Sequence, residues 1–158
     1  MKFRAGALSL ALGGVLAALG SPAPHASTTE RVVVDRHTGL ALYGVDPVGY
    51  FTEGKPVAGR QDFEYSYGGA IWRFDNEGNR AAFAADPDVY MPRYGGYDPV
   101  GIGRGRANPG FPALWVVHEQ RLYLFYTADA RRTFIASPAS VIALASARWA
   151  AVKSELAE

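Results

Sequence analysis

The chain contains no cysteine, only two methionines and only three histidines. Without thiols it forms no structural disulfide, no thiolate metal site and no acylated-cysteine anchor, and a copper(I) ion held by thiolate sulfur is excluded. The softer ligands left after the N-terminus are Met91, His118 and His37, and they share no ligand spacing. Charge of one sign is also lacking: 16 Lys+Arg stand against 15 Asp+Glu, a formal net charge of +1. That balance gives no reason to expect nucleic acid or an anionic membrane surface as partner. A core must therefore come from apolar side chains alone, and three Trp, nine Tyr and eight Phe provide the area for one.

Residues 1–26 have the layout of a secretory signal peptide. Lys2 and Arg4 open it, Ala5 to Leu19 is almost wholly apolar, and small residues follow at Gly20, Ala23 and Ala26, the candidate cleavage positions. The apolar run is shorter than the roughly 20 residues of a comfortable membrane span, so no stable span is expected after cleavage, with an uncleaved anchor as the alternative. The expected address is periplasmic or secreted. Residues 27–39 read as an extension, and 40–158 as one domain.

The most informative stretch runs from Phe63 to Tyr97. Two alternating segments flank Gly68-Gly69, a glycine pair that suits a primed hairpin turn. That turn places Tyr67 opposite Ala70, Tyr65 opposite Trp72 and Phe63 opposite Phe74 on one face. The other face pairs Glu64 with Arg73 across the strands. Elsewhere 31–35 and 40–43 read as short edge strands. Asp46-Pro47, Asp86-Pro87 and Asp98-Pro99 read as helix starts, a capping carboxylate before a proline that loses no hydrogen bond. Asp75 or Asn76 caps a helix to about Ala85, with Phe83 as its buried anchor. Residues 101–110 read as a glycine- and arginine-bearing loop. A second hairpin spans 114–117 and 121–126 with its bend at 118–120, and a helix covers 128–136. Ser137-Pro138 opens a last amphipathic helix with Val141, Ala145, Trp149, Val152 and Leu156 on one stripe. The expected fold is α+β: a small antiparallel sheet built from two hairpins, several short helices and a C-terminal helix. Gly-Val-Asp-Pro-Val-Gly at 44–49 returns almost unchanged as Gly-Tyr-Asp-Pro-Val-Gly at 96–101. So short a match is accounted for by two copies of one capping device, without duplication.

The blocks Asp-Pro-Val-Gly-Tyr-Phe at 46–51, Tyr-Gly-Gly-Ala-Ile-Trp-Arg-Phe at 67–74, Asn-Arg-Ala-Ala-Phe-Ala-Ala-Asp-Pro at 79–87, Tyr-Gly-Gly-Tyr at 94–97 and Arg-Leu-Tyr-Leu-Phe-Tyr at 121–126 resemble the YHS-domain family in its exported, stand-alone form. The resemblance implies a small α+β module of a kind found beside copper-transport and metal-handling proteins and in some oxygenases. Relatives that bear cysteine carry it where this chain has Gly49, Asp75 and Asn79, and exported ones often where it has Asp98.

Seven residues are candidates for a ligand site, each with a structural alternative. Asp46 and Asp98 are metal ligands, acid/base groups or helix caps. Tyr50 and Tyr94, with Tyr97 beside them, supply hydroxyls to a pocket or pack in the core. Arg104 and Arg106 form an anion-binding loop or a solvated connection. His118 is a functional group or an exposed turn histidine. The leading reading is a non-catalytic binding module that holds a small ligand, a hard metal ion or an envelope protein between 46–51, 94–98 and 101–110. The alternatives are an acid/base enzyme using Asp46, Asp98 and His118, and an envelope interaction protein.

Overall fold

The computed structural model describes residues 30–156; the signal-peptide expectation lies outside them. In chain order the elements are α1 (Gly49–Thr52), β1 (Arg60–Tyr67), β2 (Ala70–Phe74), α2 (Glu77–Ala85), α3 (Pro87–Tyr90), α4 (Pro99–Gly103), β3 (Phe111–His118), β4 (Arg121–Phe125), α5 (Ala128–Ala136) and α6 (Pro138–Ser154), with 3₁₀ turns at Leu42–Gly44 and Arg93–Gly96. The fold is α+β, as the patterning implies. The two hairpins form separate two-stranded antiparallel sheets, β1–β2 and β3–β4, rather than one.

Each sheet carries its own helices because the chain contains the same unit twice. Leu42, Tyr43 and Gly44 take positive φ of 51°, 56° and 80°, and Tyr94, Gly95 and Gly96 take 57°, 63° and 90°. Val45 then bridges Ala58 as Tyr97 bridges Pro109. The Gly59 amide donates to Gly44 O at 2.8 Å, and the Gly110 amide to Gly96 O at 2.9 Å. Both glycines are required by close approach: a Cβ would lie 2.4 Å from the Arg73 Cβ at Gly59, and 2.5 Å from the Leu124 Cβ at Gly110. Register irregularities follow at matching places, between Arg60 and Glu64 and between Phe111 and Trp115. Asn76 then caps α2 through the Asn79 amide, and Thr127 caps α5 through the Ala130 amide. The recurrence at 44–49 and 96–101 is thus the visible part of a duplication, and the capping explanation alone is insufficient.

One phenylalanine anchors each unit. Phe83 and Phe134 are fully buried. Phe83 packs against Trp72, Phe74 and Tyr67 at 4.9, 5.1 and 6.1 Å, and Phe134 against Tyr123, Phe125 and His118 at 4.8, 5.2 and 5.8 Å. The two cores meet at β4. Leu122 and Leu124 enter the first core, while Tyr123 and Phe125 enter the second. The matching outward residues of β2, Ile71 and Arg73, stay half-buried, and Arg73 makes the expected pair with Glu64 at 2.8 Å.

Several local expectations are corrected. Residues 31–35 and 40–43 are not edge strands: Val34 and Ala41 form only an isolated bridge. Instead the segment straddles both units, with the Val33 amide on Gly95 O and the Leu42 amide on Val33 O. The irregularity in β1 puts Arg60, not Phe63, opposite Phe74. Asp86 precedes α3 but its side chain makes no capping bond. The loop expected at 101–110 begins as helix through Gly103. His118 ends β3, and the turn is Glu119–Gln120, both left-handed without glycine. Among the described residues, no single helix is long and apolar enough to cross a membrane.

Candidate functional site

Asp46 and Asp98 occupy equivalent positions, and both are buried, at 0% and 2% exposure. One oxygen of Asp46 accepts from the Val48 and Gly49 amides at 2.8 and 3.3 Å, which starts α1. The other accepts from the Asp75 amide at 2.9 Å and Asn79 Nδ2 at 2.7 Å, tying α1 to the turn between β2 and α2. Asp98 accepts from the Val100 and Gly101 amides at 2.8 and 3.4 Å and from the Tyr126 amide at 3.1 Å. Each carboxylate therefore clamps a helix start to the end of its hairpin. In the second unit Ala130 stands where Asn79 stands in the first, so Asp98 has one donor fewer.

The burial of Asp98 bears on pH. Burial pushes the Asp98 carboxyl above its usual range, against the Tyr126, Val100 and Gly101 amides and the Arg104 charge, which pull it down. A raised folded-state value means that folding favours the protonated form. The contribution of Asp98 is then fully present below the ordinary carboxylate range and is lost as pH rises through the raised value. Urea unfolding between about pH 3 and 7 should show this loss in the native chain, and Asp98→Asn should remove it. An unchanged pH profile in the variant would contradict the assignment.

The remaining candidates are dispersed. Tyr50 is buried, donates to Pro112 O at 3.0 Å and packs edge-on against Trp115 at 5.3 Å, so it joins the two units. Burial pushes its phenol well up, which keeps it a neutral donor. The Tyr94 hydroxyl bonds Ser146 Oγ at 2.9 Å and Ile142 O at 3.3 Å, holding α6. Tyr97 donates to Glu30 O. Arg104 and Arg106 are exposed after α4. His118 is half-buried, set edge-on to Phe134 where the first unit sets Tyr67 on Phe83. Its Nε2 lies 3.9 Å from Glu119.

A cavity of ≈ 730 Å³ lies instead at the seam between the units. The Gly68-Gly69 turn forms one wall, and Met91, Tyr94 and Trp149 form another. Arg31, Arg93, Arg121 and Lys153 line it, with Asp88 as the opposing carboxylate. Of the seven candidates, Tyr94 alone reaches it. The four cations are scattered over more than a hundred residues of sequence, so no motif marks them. A second cavity, of ≈ 700 Å³, mixes signs through Glu30, Asp35 and Arg36.

The donor set does not fit a soft metal ion. Gly49, Asp75 and Asn79, the positions where the family resemblance implies cysteine, all converge on Asp46 through hydrogen bonds. Amide donors there saturate the carboxylate and offer no lone pair to a cation. Among the described residues, no group of three or more His, Asp or Glu is placed to hold a metal ion.

Residues 48–94 match the family model of the YHS domain. No curated protein and no solved structure matches the chain. The matched span covers the first unit from the start of α1 and stops at Tyr94, inside the turn that opens the second. The chain carries a YHS domain at residues 48–94.

Proposed function

We propose that the protein is an exported, non-catalytic binding module in which two fused units hold a small ligand at their seam. The observation that carries this reading is the commitment of Asp46 and Asp98 to backbone amides in the interior. General acid/base chemistry needs a group within hydrogen-bond reach of a substrate, and both carboxylates are shut away from solvent. The seam, by contrast, has the size and the apolar-plus-polar lining of a ligand cavity. Export rests on the pattern of residues 1–26.

Native mass spectrometry of the protein purified from its own source tests the proposal. A small-molecule mass retained on the folded protein, and lost from a Lys153→Trp variant that sets an indole in the lining of the seam from regular helix, is expected. Retention unchanged in that variant would place the ligand elsewhere, and substrate turnover by the purified protein would overturn the non-catalytic reading. A second reading, partner binding in the envelope, is favoured by Phe111 and Tyr126, each 43% exposed and stacked at 5.6 Å.

A further inference from the structure

The seam gathers charge of one sign in a chain that is nearly neutral overall. Four cationic residues line it against one carboxylate. Like charges held in one concavity repel each other, and low-dielectric walls strengthen the effect, so the arrangement calls for an anion. Among the described residues, Arg93, Arg121 and Lys153 have no carboxylate within ion-pair distance. Two of them are nonetheless held in place. Arg121 donates one N–H to the Asp88 main-chain carbonyl at 2.8 Å, which leaves other guanidinium donors for a ligand. The Arg93 guanidinium lies 5.7 Å from the centre of the Tyr94 ring.

The walls add a second requirement. The hairpin turn at Gly68-Gly69, which carries no side chains, forms one wall, and a Cβ at Gly68 would meet nothing within 4 Å. On the other side Trp149 stands edge-on to Tyr94 at 5.7 Å and offers apolar surface beside Met91. A bare inorganic ion would leave that surface unused.

We propose that the seam binds a small molecule bearing an oxyanion, a phosphate monoester or a carboxylate, on an aromatic or otherwise apolar body. Arg93, Arg121 and Lys153 take the charge, with bidentate contact available from the arginines, and Trp149 takes the body. This rests on the reading of the seam as the ligand site.

The test follows the indole N–H signal of Trp149 by NMR in the full chain at low salt, titrated separately with phenyl phosphate, benzoate and benzyl alcohol. Saturable shifts with the two anions are expected, with benzyl alcohol at least about tenfold weaker. The anion that binds more tightly identifies the oxyanion. The double variant Arg93→Gln/Lys153→Gln, altered at two exposed positions, should weaken the anions about tenfold and leave benzyl alcohol unchanged. If benzyl alcohol bound as tightly as the anions, the ligand class proposed here would fall while the seam remained a site. If no probe moved the signal at about 10 mM, both the class and the seam would fall.

Discussion

Asp46→Ala should lower the unfolding free energy by about 4 kcal/mol, because it orphans four donors at once, and each buried donor left unpaired costs about 1–3 kcal/mol. The loss falls short of the simple sum, since the vacated space admits water to some of the donors. Asp98→Ala should cost less, about 3 kcal/mol, because it orphans three donors rather than four. Urea denaturation of the two variants against the native chain measures both. Carboxylates held ready for a ligand would behave differently: their removal would change stability by less than about 1 kcal/mol and appear only in binding.

Phe83→Ala and Phe134→Ala should each cost about 3–5 kcal/mol, the range for deleting a buried ring and leaving a cavity. Phe83 contacts four aromatic rings and Phe134 contacts three, so the first should stand at the upper end. The form of the transition is as informative as its position. Leu122 and Leu124 of the second unit are buried in the core of the first, and the Tyr50 hydroxyl of the first bonds Pro112 of the second. Both variants should therefore unfold in one cooperative step. A biphasic curve for Phe134→Ala, with the first unit still folded, would show two independent bodies.

Much of the fold was legible because local chemistry and packing agree. Gly68-Gly69 set the first hairpin, Glu64 and Arg73 pair across it, and Pro138 opens α6 with its buried stripe. The duplication was hidden for equally specific reasons. The second hairpin turns through Glu119 and Gln120, which adopt left-handed conformations without the glycine that marks such turns. β4 is buried on both faces, so Leu122, Tyr123, Leu124 and Phe125 show no alternation. Val32 and Val33 read as strand because they are apolar in succession, but one enters each core. Asp98 was legible as a helix cap, whereas Asp46 binds amides at the start of α1, whose cap position is Val48 and which leaves Pro47 outside the helix. Their second bonds, to amides 29 and 28 residues away, were not legible. Beyond Tyr94 the seam left no trace in the sequence, since Arg31, Arg93, Arg121 and Lys153 meet only through the packing of one unit on the other.

The most direct measurement is a map of backbone amide shifts in the full chain on addition of phenyl phosphate. A seam site predicts changes at Gly68, Gly69, Tyr94, Gly95, Arg121 and Lys153, with Val48, Gly49, Val100 and Gly101 still. Changes centred on those last four amides would contradict it, and would return Asp46 and Asp98 to the role of ligand residues.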